Sequence, residues 1–271
     1  MPGVIQSLIA KRQRLKNFRD IHSGQRAFVI GNGPSLNEMD LAPLAQETTF
    51  TSNGFYHLFS KIDWRPDYYA CVDAVVLRNQ MEPINQMRED SPSIQCFFPE
   101  KIPDVYIAKR KIQVETILPN TPKTCYFKQI PPDREKKPFG MFPKDPASGL
   151  VQPYTVTATL LQLAHLMGCN PIYLIGCDNH YQPYPGVKTV DDLRPNATTV
   201  YEAGQDNDPN HFHPAYFGQG KRFHEPNADK MAMHYEAIHE AADILALEIY
   251  NAGLDSRLEC FPKVDFKSLF R

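Results

Sequence analysis

The chain has 271 residues, 42% hydrophobic and 22% charged, with a formal net charge of −2, which suits a globular α/β chain of one large domain or two small ones and gives no ground for nucleic-acid binding. No apolar run approaches the roughly 20 residues that span a bilayer, and the N-terminus lacks the apolar region of a signal peptide. Six cysteines lie scattered without close pairing, which fits a reducing, cytoplasmic setting.

In chain order, residues 4–20 read as a basic amphipathic helix, with Ile5, Leu8, Ile9 and Leu15 opposite Lys11, Arg12, Arg14, Lys16 and Arg19. This makes 1–25 an N-terminal helical extension ahead of a single domain over 26–271. A solvated face on a packing helix is the first reading; peripheral contact with anionic lipid at the inner membrane face is the alternative. Ala27-Phe28-Val29-Ile30 is an apolar run of strand length that empties into Gly31-Asn32-Gly33-Pro34-Ser35. Glycines at a strand exit permit positive φ and close approach of the main chain to a ligand, and the amides beyond them can donate to a phosphate. A third glycine is missing, since position 36 is Leu36, so ordinary NAD binding is not supported.

Leu41–Ala45 is a short helix, Thr48–Asn53 a strand ending on Asn53-Gly54, and Asp67–Asp73 a strand ending on a carboxylate. Residues 74–89 are helical, with a kink or interruption expected at Pro83. Ile94–Phe98 is another strand. The Pro- and Lys-rich stretch 119–153 reads as an excursion. Residues 155–167 form a helix apolar nearly all round, hence buried, stopped by Gly168. Pro171–Asp178 is a core strand ending on Gly176 and Asp178. Residues 179–226 are a second long loop, rich in His and Tyr. A helix over 228–247 and a strand at 248–253 follow. Strands alternating with helices predict an α/β, Rossmann-like, mostly parallel sheet with helices on both faces and a long lid loop over 179–226. In such sheets ligands bind beyond the carboxyl ends of the strands, where Asn32, Asn53 and Asp73 would share one crevice.

Several residue types there suit chemistry. His211 and His213 fall on one side of an extended segment; an imidazole near neutral pKa can take a proton from an acceptor hydroxyl. H-x-H is also a metal-ligand spacing, with Asp178 or Asp208 as carboxylates. Tyr181 and Tyr216 could donate to a leaving phosphate. Thr155 and Thr157 place hydroxyls at a helix N-terminus, where an anion is favoured. Asp73 and Asp178 invite a Mg²⁺–nucleoside triphosphate reading, but no G-x-x-x-x-G-K-[ST] loop is present. A strand-end carboxylate can equally bond ribose hydroxyls. Cys71 and Cys177 lie inside strand runs, which disfavours nucleophilic cysteine chemistry.

The series Gly31-Asn32-Gly33-Pro34-Ser35-Leu36, Asn53-Gly54, Pro66-Asp67-Tyr68 with Asp73, Ile172 to Asp178, and Ile249-Tyr250-Asn251 with Phe261 to Asp265 resembles the MptE-like superfamily, which includes 6-hydroxymethylpterin diphosphokinases. The opening and the later helix, strand and G-x-D are also similar to bacterial CMP-sialic-acid-dependent sialyltransferases of the Campylobacter type. The resemblance implies a glycosyltransferase for a CMP-activated acidic sugar in surface-glycan synthesis, acting on a glycan acceptor without a required cofactor or metal. Asn32 and Asn53 match nucleotide- and phosphate-contacting asparagines, and Gly176 and Asp178 the G-x-D near the cytidine. His180 stands where that family has tyrosine, with Tyr181 adjacent. The lid base would be His211 or His213, although an ungapped match places Gln219 there. The alternatives are a Mg²⁺-dependent diphosphokinase of the hydroxymethylpterin type and a non-catalytic nucleotide-binding module in a glycan-assembly complex. Donor sugar, acceptor and any homo-oligomer stay open.

Overall fold

Seven short strands bury side chains on both faces, which is what an all-parallel sheet demands. A computed structural model describes residues 13–105, 107, 109–190 and 199–271. Its strands are β1 (Ala27–Ile30), β2 (Thr48–Ser52), β3 (Tyr68–Ala70), β4 (Gln95–Pro99), β5 (Lys101–Pro103), β6 (Lys111–Gln113), β7 (Thr124–Phe127), β8 (Gln129–Ile130), β9 (Leu150–Val151), β10 (Ile172–Ile175), β11 (Val187–Val190), β12 (Val200–Ala203), β13 (Arg222–His224) and β14 (Ile249–Asn251). Among the described residues three α-helices, α1 (Ala74–Asp90), α2 (Val156–Leu166) and α3 (Ala228–Leu245), join them. The central sheet runs β14-β10-β1-β2-β3-β4-β7, with every pairing parallel.

Alternation along each strand splits the core into two layers. Ala27 and Val29 of β1, Phe50 of β2 and Phe97 of β4 join Leu160, Leu163 and Ile238 of α2 and α3 on one face. Phe28 and Ile30, Tyr69 and Phe98 join Leu77 and Ile84 of α1 and Phe266 of the tail on the other. The α/β Rossmann-like sheet expected from the sequence is therefore the fold. Helix α2 is buried nearly all round and ends at Gly168, whose φ is +77°.

Four expectations change. Residues 1–12 of the proposed N-terminal helix lie outside the described residues; the rest of it forms a 3₁₀ turn, Leu15–Phe18, whose Phe18 packs edge-on against Phe97 at 4.9 Å. Its apolar residues are drawn onto the sheet, and Gln13 bridges to Cys125 beside β7. Helix α1 runs through Pro83 without interruption. The 119–153 stretch supplies β7, an edge strand of the main sheet, and the short β8–β9 pair. The 179–226 loop carries a three-stranded antiparallel sheet, β11-β12-β13, and so is a small folded flap.

Candidate active site

Strand order dictates where the crevice lies. The chain steps outward from β1 through β2, β3 and β4 to β7, then returns to the opposite side of β1 with β10. This reversal leaves a gap between the loops after β1 and β10, where open α/β sheets bind ligands. The two loops touch closely at its floor. Gly31 N–H donates to Ile175 O and Gly33 N–H to Gly176 O, each at 2.8 Å. A Cβ on Gly31 would fall 2.3 Å from Gly176 O, and one on Gly33 would fall 2.4 Å from Asp178 Cγ.

The glycine pair thus serves loop packing, which corrects the expectation that it adopts positive φ to admit a ligand. Gly33 has φ −68°, and the left-handed residues are Gly176, Asn53 and Asn179. Most of the turn's amides are spent internally, which leaves few of them for the phosphate expected there. Ser35 N–H donates to Asp178 Oδ2 at 2.9 Å, its hydroxyl to Asp178 Oδ1, and Leu36 N–H to Gly33 O. Ser35 stands behind the crevice wall as the partner of Asp178.

All the other predicted site residues except His213 line one crevice of about 290 Å³: Gly31, Asn32, Gly33, Asn53, Asp73, Thr155, Thr157, Gly176, Asp178, His180, Tyr181, His211 and Tyr216. Its polar groups are incompletely satisfied. Asn32 is buried and its amide Nδ2 donates to Ser52 O and Oγ at 3.3 and 3.2 Å, whereas its Oδ1 has no partner. Because Nδ2 must face the Ser52 carbonyl, the amide orientation is fixed and an acceptor is offered to the crevice. Asn53 Oδ1, Asn179 Oδ1 and the Tyr216 hydroxyl are likewise buried without a hydrogen bond of good geometry. Tyr216 and Asn53 turn their polar ends towards each other and Gly54, which leaves the Asn32 and Asn179 oxygens; buried groups of this kind are costly unless something satisfies them, and the pair marks a ligand site. Burial pushes the Tyr216 phenol well up, keeping it a proton donor.

Helix α2 brings the opposite polarity. Thr155 is its N-cap but makes no capping bond, and Tyr154, Thr155, Val156 and Thr157 all reach the crevice. The first-turn amides and the helix dipole therefore face a ligand-sized space, which favours an anion.

The flap supplies the titratable group. His211 Nδ1 lies 2.8 Å from Oδ2 of the buried Asp208, whose two oxygens also accept the amides of Phe217 (3.2 Å) and Asn210 (2.9 Å). An ionised carboxylate accepts only, so Nδ1 carries the proton and Nε2 is left as the basic nitrogen. The ring stacks on Tyr216 with centroids 3.9 Å apart and 5° between planes, and Gly54 must be glycine because a Cβ there would meet the Tyr216 ring at 2.6 Å. His213 turns away and stacks on His57 at 4.6 Å outside the crevice. Gln219 is exposed, its amide held by Asp206.

Tyr181 keeps part of its ring exposed while its hydroxyl end is buried near Met231 Sδ at 3.8 Å, and burial raises its pKa. Asp73 caps α1 through Val75 and Val76 N–H at 2.8 and 2.9 Å and turns its other oxygen to His224 at 3.5 Å. Cys177 is buried and its thiol is pushed up to about 12, so it is no nucleophile. Sequence reasoning missed Asn179 and Tyr235, whose phenol lies beside Thr155 and Thr157. It took Asp208 only as a metal carboxylate. An Asn directly after the G-x-D was the available signal for the first; the Asp208–His211 spacing of three residues was the signal for the dyad.

Residues 6–183 match the family model described as 6-hydroxymethylpterin diphosphokinase MptE-like. The chain belongs to the MptE-like family. The MptE-like match takes in the exits of β1, β2, β3 and β10 and the start of α2, and ends before His211 and Tyr216. No curated protein shows a match to the chain. Among solved structures it is similar to the MAf glycosyltransferase from Magnetospirillum magneticum AMB-1, at 13% identity and a TM-score of 0.49, over 97% of this chain and 40% of that one. The chain thus spans less than half the length of that protein. Among the described residues no group of three or more His, Cys, Asp or Glu is placed to hold a metal ion, and no helix is long and apolar enough to cross a membrane.

Proposed function

We propose that this MptE-like protein is a glycosyltransferase that moves an acidic sugar from a CMP-activated donor to a hydroxyl of a glycan precursor. The observation that carries the reading is the Asp208-oriented His211 facing a crevice whose other walls include a helix N-terminus without a side-chain cap and the buried Asn32 and Asn179 oxygens. The donor's phosphate would lie at the α2 terminus, and the Asn32 acceptor would meet a hydroxyl or amino group of the nucleotide. His211 Nε2 takes the acceptor proton as that oxygen attacks the anomeric carbon. The bond from this carbon to the phosphate oxygen breaks and CMP leaves, with Tyr216 or Tyr181 donating to the departing phosphate. One displacement inverts the anomeric configuration.

The family's description supplies the second reading, a Mg²⁺-dependent diphosphokinase. Mg²⁺ would need oxygens from the crevice carboxylates together with substrate phosphates. Asp178 gives both its oxygens to Ser35, and Asp73 is spent on the α1 cap and His224. They fit the ion poorly, so the first reading is preferred. A thermal-shift screen of CMP and CDP against ADP and ATP, with and without Mg²⁺, separates the two. CMP or CDP should raise the melting temperature without metal. Stabilisation by ATP alone, abolished by EDTA, overturns the glycosyltransferase reading in favour of the kinase. Failure of every nucleotide to bind overturns both.

A further inference from the structure

At about 290 Å³ the crevice sits at the lower end of small-molecule sites, too small for two substrates at once, which leaves the second to be placed. A second hollow of about 630 Å³ opens on the other side of His211. His211, Tyr154, Tyr181 and Met231 line both spaces, so the imidazole stands in the wall between them. The second hollow has apolar surfaces from Phe217 and Pro226 and three amines, Lys109, Lys111 and Lys230. Among the described residues no ion pair engages these lysines; the Lys230 ammonium lies only within 6.0 Å of the Tyr154 ring. The acidic groups of the hollow have other partners, two of which, Arg110 and His224, also line it. Asp104 pairs with Arg110 at 3.6 Å, Asp73 caps α1, and Glu225 is turned towards Tyr201 of β12.

We propose that the second hollow is the acceptor subsite and that it takes an anionic acceptor, a hydroxyl-bearing sugar carrying a carboxylate or phosphate that meets Lys109, Lys111 and Lys230. Its role as acceptor rests on the nucleotide reading of the first crevice. The aromatic and apolar walls would take the ring face while the lysines fix the charged end, presenting a hydroxyl to Nε2 of His211.

The test is titration of the full chain with galacturonate, glucose 6-phosphate and neutral galactose, followed by NMR, with and without saturating CMP. The expected result is millimolar binding of a charged sugar but not of galactose, undiminished by CMP. Lys109→Gln/Lys111→Gln/Lys230→Gln should weaken that binding about tenfold, as three ionic contacts open to solvent at the hollow's edge allow, while Lys267→Gln in the tail leaves it unchanged. Melting curves of both variants check the fold. Whichever charged probe binds more tightly identifies carboxylate or phosphate. The proposal is overturned if galactose binds equally well, if the triple variant binds like the parent, if CMP competes with the charged sugar, or if neither charged sugar binds. Should CMP itself not bind while a charged sugar still requires the lysines, the nucleotide reading fails and the anion subsite stands.

Discussion

Asp208 holds His211 with the same carboxylate oxygen that accepts the Phe217 amide, so Asp208→Asn removes charge while keeping an acceptor and nearly the same volume. An Asn can present its amide N–H to Nδ1 and drive the proton to Nε2, the wrong tautomer for a base. Turnover should fall by a factor on the order of 10²–10⁴, the usual worth of a positioned general base, with little change in melting temperature. His213→Ala, outside the crevice, should leave turnover within a few-fold; a loss matching that of His211→Ala would move the base. The glycines give a graded test on stability. Gly31→Ala pushes a methyl group into the Gly176 backbone carbonyl, whereas Gly33→Ala meets the Asp178 side chain. Overpacking costs about 1–3 kcal/mol, and Gly31→Ala should stand at the upper end because its neighbour is main chain that cannot swing aside. Denaturant midpoints check the order.

The elements that build the crevice floor were legible because each is local. A short apolar or β-branched strand ending on a glycine, asparagine or aspartate announces itself, as β1, β2 and β10 do, and α2 is apolar nearly all round. What escaped depends on distant partners. β7 is only Thr-Cys-Tyr-Phe among prolines and lysines and becomes a strand by pairing with β4. β11 to β13 are half-polar strands whose register is set by one another. The same dependence took the Gly31, Gly33 and Ser35 amides from a ligand, since the β10 exit and Asp178, more than 140 residues away, accept them. A further pairing invisible in sequence joins the Asn53–Leu58 turn to the flap through the His57–His213 stack. Burial, then the nearby Lys221 and His213, lower His57 to about 4 from 6.5, and burial, Lys61 and Lys221 lower His213. Both imidazoles are therefore held neutral in the folded chain at a pH where the unfolded chain protonates them, and stability falls as pH drops from 6.5 towards 4. His57→Phe should flatten that decline in melting temperature; an unchanged slope would remove this pair as its source.

At the scale of the whole molecule the site exists only while the flap stays seated, since the floor comes from the sheet and the base from the flap. One residue anchors the segment that carries the base. Phe212 is buried, with its ring edge-on to Phe55 and Tyr216 at 6.4 and 5.9 Å. Its N–H donates to Asn32 O at 3.0 Å, and its carbonyl accepts from Asn37 Nδ2 at 2.8 Å. The anchor thus ties the segment carrying His211 directly to the exit of β1. Phe212→Ala keeps both backbone bonds but removes the ring, a change that costs on the order of 3–5 kcal/mol at a buried site. Because the flap's own sheet is small and no flap strand pairs with the seven main strands, the loss should appear as local opening rather than global unfolding. Amide exchange over 208–217 should then speed up sharply while β1 and β10 stay protected, and kcat/KM should drop even though every chemical group remains. Asn37→Ala, which gives up one hydrogen bond, should do the same more weakly. Uniform acceleration of exchange across the sheet in Phe212→Ala would instead make flap and core one cooperative unit, and the site could not open without unfolding the domain.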